Sequence, residues 1–150
     1  MYIKQFDAWN QVKQKIDDGP DEINIREGEI RWIVSGVNVG GEMDGKGIFF
    51  TRPGLIVHVL GRYLALVIPM STQVKTLPGY VPFLWQGRMV ALCLNQMRVI
   101  SLKRILSRQG RISESRLAAV KVEIANFFSA TRIREYFEKS KSALIRTLFE

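Results

Sequence analysis

Between Ile48 and Leu94 the chain breaks into apolar runs too short for helices of ordinary length. Leu55–Leu60, Tyr63–Pro69, Val81–Trp85 and Met89–Leu94 are rich in Val, Ile, Leu and aromatic residues. They are interrupted by Gly61-Arg62, Leu77-Pro78-Gly79 and Gln86-Gly87-Arg88, which are turn-forming combinations. Upstream, Ile30, Trp32 and Val34 alternate with Glu29, Arg31 and Ile33, the pattern of a half-buried strand. Short strands at this spacing expose edges unless the sheet closes on itself. The expected architecture is therefore mainly β, a small barrel or coiled sheet.

Helical periods flank the β region. Phe6, Trp9, Val12, Lys13 and Ile16 fall on one face of a helix that Gly19-Pro20 stops. After Ile100 the period changes: Leu102, Ile105 and Leu106 predict a short helix capped by Ser101 and ending near Gly110. Ser113 opens a longer helix with Leu117, Val120, Ile124, Phe127 and Phe128 on its stripe. Ile133, Phe137, Leu144 and Leu148 take up a different azimuth, so 129–150 reads as a separate C-terminal helix that packs on the protein itself or on a second subunit. The expected organisation is one domain over 1–150: a helical arm over 1–25, a barrel core over 26–128 and the extension over 129–150.

Between the first two strands lies Gly36–Gly47, with five glycines in twelve residues. That density predicts a mobile loop that gates whatever it borders. It lacks the Gly-Lys-Ser/Thr of a phosphate-binding P-loop and the strand–turn–helix setting of a dinucleotide fingerprint.

Charge narrows the function. Lys and Arg total 22 against 14 Asp and Glu, a net of +8. Residues 1–29 carry −3, 30–97 carry +4 and 98–150 carry +7. A net-acidic arm and a cationic remainder favour a polyanionic partner, nucleic acid first. A lone Cys93 gives no disulfide framework, and with a lone His58 it argues against a zinc site. No metal or cofactor is expected. The longest clean apolar run, Leu64–Met70, is far short of the ~18–20 residues of a membrane helix. Met1–Lys13 has no apolar core of a signal peptide. The expectation is a soluble, cytoplasmic protein without a membrane partner.

Five fragments in order resemble the MazF/PemK toxins of bacterial type II toxin–antitoxin systems. They are Gly28-Glu29-Ile30-Arg31-Trp32, the loop Gly40-Gly41-Glu42-Met43-Asp44-Gly45, Arg52-Pro53-Gly54-Leu55-Ile56-Val57, Pro69-Met70-Ser71-Thr72-Gln73-Val74-Lys75, and Gln96-Met97-Arg98 with Leu102–Leu106. The resemblance covers about residues 26–128. It implies an SH3-like barrel with flanking helices, usually a homodimer. It also implies a metal-independent endoribonuclease that cuts single-stranded RNA and is neutralised by a cognate antitoxin with an acidic tail.

On that resemblance the catalytic candidates are Arg52, Ser71 and Glu42. Arg52 stands at the family's catalytic arginine, and its planar fork suits the phosphate oxygens. Ser71 stands where threonine is usual and keeps the hydroxyl donor. Glu42, preceded by Gly41 in place of the usual serine, offers a carboxylate near the 2′-hydroxyl. Lys46, Thr72, Gln73, Lys75, Gln96 and Arg98 are the expected RNA contacts. Trp32 and Trp85 are candidates for stacking on bases. His58 is mid-strand, and Cys93 reads as a buried small hydrophobe. The alternative on the same barrel is a non-catalytic member that binds RNA or, like the gyrase-poisoning CcdB, a protein.

The charge distribution carries its own test. Affinity for single-stranded RNA should fall as salt rises, log K against log salt having a slope of about −0.7 per phosphate neutralised. A slope near zero would point instead to a protein target.

Overall fold

The computed structural model describes residues 1–21 and 24–129. Helix α1 (Phe6–Asp17) is followed by strands β1 (Glu29–Val34), β2 (Thr51–Leu60), β3 (Leu64–Ser71), β4 (Tyr80–Trp85) and β5 (Arg88–Cys93). A single 3-10 turn (Leu94–Gln96) leads to β6 (Arg98–Ser101), and a second (Leu102–Arg104) leads to β7 (Ile105–Arg111). Helix α2 (Glu114–Ser129) ends the described chain. The fold is mainly β, as its sequence predicts. The expected extension over 129–150 lies, but for Ser129, outside the described residues.

All strand pairings are antiparallel, in the order β4-β5-β3-β2-β1-β7 with β6 also on β3. The two ends of that path meet through side chains. Gln86 beyond β4 donates Nε2 to the Gln109 carbonyl at 3.4 Å. The Trp85 ring lies so close to Gly110 that a Cβ there would sit 2.6 Å from the indole. The core occupies the inside of this coil: Ile30, Leu55, Ile68, Met70, Phe83 and Leu92, closed by Leu117 and Val120 of α2. A second cluster, including Ile33, Ile56, Val67 and Ile100, fills the other face of the central strands.

Three sequence expectations need correction. The helix expected over Leu102–Leu106 is one 3-10 turn, with Ser101 Oγ accepting from Lys103 N at 3.2 Å as its cap. From Ile105 the chain is strand, because β1 offers it a ladder. Gly110 ends no helix; it makes room for Trp85. Second, β1 is not half-buried. Every residue but Trp32 is buried, and Glu29 and Arg31 are buried as a pair, Arg31 Nε to Glu29 Oε2 at 2.8 Å. Arg31 also donates to the Leu106 and Asn24 carbonyls, which satisfies the guanidinium where water cannot. Third, Phe128 is exposed, and the α2 stripe ends at Phe127. Ser113 caps α2 as expected, its Oγ accepting from Arg116 N at 3.2 Å.

Gly110→Ala should cost about 1–3 kcal/mol, because the new methyl must displace a rigid indole. Denaturant titration with near-ultraviolet circular dichroism checks this. Wild-type stability with an unaltered tryptophan signal would contradict the seam.

Candidate active site

The site arises where β2 and β3 part. Their ladder runs from Leu60↔Leu64 to Gly54↔Pro69 and stops. Beyond that point Pro53 and Arg52 stay with β1, opposite Trp32 and Ile33, while Met70 and Ser71 pair with Leu92 and Ala91 of β5. Pro53 and Pro69 fall at the divergence, and neither has an N–H to donate to a continuing ladder. Counting the register on by two residues sets Arg52 across from Ser71. Both border the cleft that opens there, together with Pro53 and with Thr72, which lies in the bend beyond β3.

Arg52 is half-buried, and its Nε donates to the Asp44 carbonyl. Among the described residues that is its one hydrogen bond, which leaves both terminal nitrogens of the fork for a ligand. Ser71 Oγ accepts from the Gln73 backbone N–H at 3.1 Å, so the hydroxyl is oriented and its own hydrogen is available to donate. Lys46 flanks them: it exchanges both backbone hydrogen bonds with Thr51, at 2.9 and 3.0 Å. Lys46, Arg52, Ser71 and Thr72 border a cleft of about 550 Å³. Gln73 and Lys75 are exposed on the segment that follows, the Lys75 ammonium 5.8 Å from the Tyr80 ring centre.

The remaining candidates lie on the other flank of the glycine-rich loop. Glu42, Gln96 and Arg98 line a separate pocket of about 310 Å³ with Asn38 and Met43. Glu42 is exposed. Gln96 spends its amide on the loop itself, accepting from Met43 N at 2.8 Å and donating to the Gly41 carbonyl at 3.0 Å. Arg98 Nη1 reaches Asn38 Oδ1 at 3.4 Å. The loop is tied at further points. Asp44 Oδ1 accepts from Asn38 N at 2.6 Å, Gly45 N donates to the Gly36 carbonyl at 2.8 Å, and Val37 is buried against Trp9 and Phe50. Lys4 of the N-terminal arm donates to the Asn38 carbonyl and pairs with Asp44 at 3.5 Å. These bonds are what a gate would have to break, and the glycine count alone does not reveal them.

Tyr80 is the neighbour that sequence reasoning missed. Gly54, Pro69, Cys93 and Tyr80 form one transverse row across four strands, next to the row of Arg52 and Ser71. Burial raises the Tyr80 phenol above its ordinary value; the adjacent Cys93 adds to this and Arg52 opposes it. Cys93, fully buried as expected, is pushed up to about 11 by burial, against the pull of Arg52 and of its bond with Tyr80. No sequence signal links Tyr80 to Arg52; only the register does. His58 is remote from this group, towards the far end of β2, with its Nδ1 on Glu27 Oε1. Burial alone would raise the Glu27 carboxyl, yet the Val59 N–H, Lys121 and His58 hold it below its ordinary value.

Among the described residues no three His, Cys, Asp or Glu side chains are grouped to hold a metal ion, and no helix is long and apolar enough to cross a membrane. No family model and no curated protein matches the chain. Solved structures do. The Mycobacterium tuberculosis toxin MazF-mt6 is similar at 18% identity over 69% of this chain and 99% of that one, with a TM-score of 0.49. A MazE–MazF complex from Deinococcus radiodurans is similar at 16% identity over 74% of this chain and 100% of that one, with a TM-score of 0.48. Both are structures of the toxin family that the sequence resembles.

The Cys93 environment gives a direct chemical test. At pH 8 a thiol raised to about 11 is protonated, and the thiolate is the reactive form. Iodoacetamide should leave the native protein unlabelled over the time in which it fully labels the denatured chain. Fast native labelling would contradict this packing of Cys93 beneath Tyr80.

Proposed function

We propose that this chain is an endoribonuclease toxin that cuts single-stranded RNA by attack of the 2′-hydroxyl on the adjacent phosphate. The products are a 2′,3′-cyclic phosphate and a 5′-hydroxyl end. The observation that carries the reading is that Arg52 and Ser71 border one cleft, where β2 and β3 have parted. A phosphate in that gap meets a guanidinium fork on one side and an oriented hydroxyl donor on the other.

Arg52 stabilises the dianionic pentavalent state. Its fixed charge makes it a poor proton acceptor, so its first part is electrostatic, and its second is to give a proton to the leaving 5′ oxygen. Ser71 donates its hydrogen to a phosphate oxygen. Glu42, carried on the loop, is the carboxylate assigned to take the 2′ proton; it lines a separate pocket, so this part requires the loop to carry it to the cleft of Arg52 and Ser71. The 2′-hydroxyl is the nucleophile, so DNA binds without being cut. Lys46, Thr72, Gln73, Lys75 and Arg98 extend a cationic and polar path for the backbone, in keeping with a net charge of +8. Gln96 holds the loop that carries Glu42, and its contact with RNA in this reading is indirect. The same charge suits an acidic antitoxin, and the working unit is a homodimer in the cytoplasm, as the resemblance implies.

The substitutions to make are at the two facing residues. With EDTA present, Arg52→Ala should slow cleavage of a mixed single-stranded RNA by at least ~10²-fold, the scale of losing a main transition-state donor. Ser71→Ala should be slower than wild type and Ser71→Thr equal or faster, because threonine keeps the donor and restricts its rotamer. Thr72, exposed in the bend beyond β3, should tolerate alanine better than Ser71 does. Near wild-type cleavage by Arg52→Ala would sink the assignment.

A further inference from the structure

The proposed chemistry uses only the rim of the cleft at the mouth of the barrel. Its interior is apolar and aromatic: Ile30, Trp32, Met70, Trp85 and Val90 line a volume of about 550 Å³. That is enough for a nucleoside and its neighbours. Trp32 is the anomaly of its strand. The other five residues of β1 are buried, whereas Trp32 keeps 36% of its surface in solvent on the side facing this cleft. Folding has left the largest side chain of a central strand without a cover. Trp85 enters the same cleft from β4, and Gly110 permits its position because no other residue leaves room for the indole. The polar lining is cationic or neutral: Lys46, Arg52 and Arg88, with threonine, serine and glutamine and without a carboxylate. One exposed indole and one half-buried indole, rimmed by cations, form a stacking surface with phosphate partners.

We infer that this cleft takes a nucleobase of the RNA strand next to the scissile phosphate, stacked on Trp32 and Trp85, with its backbone phosphate on Arg88. The inference rests on the ribonuclease reading, since Arg52 belongs both to the phosphate gap and to the rim of the cleft. It adds a recognition surface within the same cleft that Arg52 and Ser71 border. An acidic peptide would also meet the cations. A flat, sequence-tolerant π surface continuous with a phosphate-binding arginine fits a base better. Cleavage preference should therefore reside partly in the base that enters here, and removing the aromatic surface should flatten it.

Fluorescence tests this with the intact protein. A pool of short 2′-O-methyl RNA strands has no free 2′-hydroxyl and stays uncut, so binding is read without turnover. The pool should quench indole emission on binding. Trp32→Leu, which keeps an apolar side chain but no π surface, should bind about tenfold more weakly, the loss of a single stack. Trp32→Phe should recover most of that loss, which a packing defect would not allow. Arg88→Ala, on an exposed side chain outside the core, should weaken binding and lower the salt slope by about 0.7, one phosphate contact. Thermal unfolding of each variant confirms a folded sample. Wild-type affinity in Trp32→Leu, or binding without any change in indole emission, would overturn the inference. So would quenching by an acidic peptide that RNA fails to reproduce. Loss of RNA cleavage in Arg52→Ala reports on the reaction separately, so the cleft can fail while the reaction stands.

Discussion

Everything functional in this molecule depends on one strand changing partner. β3 pairs with β2 and β6 over its first half and with β5 at its end, and its ladder to β2 stops at Gly54↔Pro69. A ladder carried on to Arg52 and Ser71 would bring their strands to the usual spacing of about 4.8 Å and leave no room for a phosphate. Pro53 works against that, since it has no N–H to give to a continuing ladder. The parted ends remain rigid because each is paired elsewhere, β2 to β1 and β3 to β5. Preorganised donors of this kind cost no reorganisation when charge develops.

The glycine-rich loop and the N-terminal arm hold Arg52 from the other side. Asp44 contributes its carbonyl to Arg52 and its carboxylate to Asn38 N and Lys4. A single loop residue thus couples the guanidinium to the arm. The arm is anchored by Trp9, which packs edge-on against Phe50 at 5.8 Å and lies against Gly36, with Arg104 5.4 Å from its ring. Asp44 therefore sits beside Arg52 with its carboxylate already engaged by Asn38 N and Lys4.

Strands β1 to β5 and helices α1 and α2 were legible because each keeps one period over several residues. Phe6, Trp9, Val12 and Ile16 predict α1, and Leu117, Val120 and Ile124 predict α2. Leu102, Ile105 and Leu106 misled because three apolar residues fit a helical turn as well as a turn followed by a strand; tertiary pairing with β1 decided between them. The Glu29–Arg31 pair was illegible because a charged residue is read as exposed unless its partner is known. Within the site, Arg52 and Ser71 were found through the order of motifs in the resemblance. Tyr80 was not, since its nearness to Arg52 exists only across the row through Pro69 and Cys93. Glu42 and Gln96 stand near one another as their motifs suggest, yet on the flank of the loop away from Ser71.

The central claim is that the parted strands position an RNA phosphate for attack by its own 2′-hydroxyl. The most direct measurement is the chemistry of the cut ends. Purified protein is incubated with single-stranded RNA in EDTA, the 5′ ends are sequenced to find the cut, and a second substrate carries one 2′-deoxy nucleotide on the 5′ side of that bond. The account predicts 2′,3′-cyclic phosphate and 5′-hydroxyl ends from the first substrate and no cut at that bond in the second. Cleavage of the deoxy-substituted bond, or 5′-phosphate ends, would contradict it.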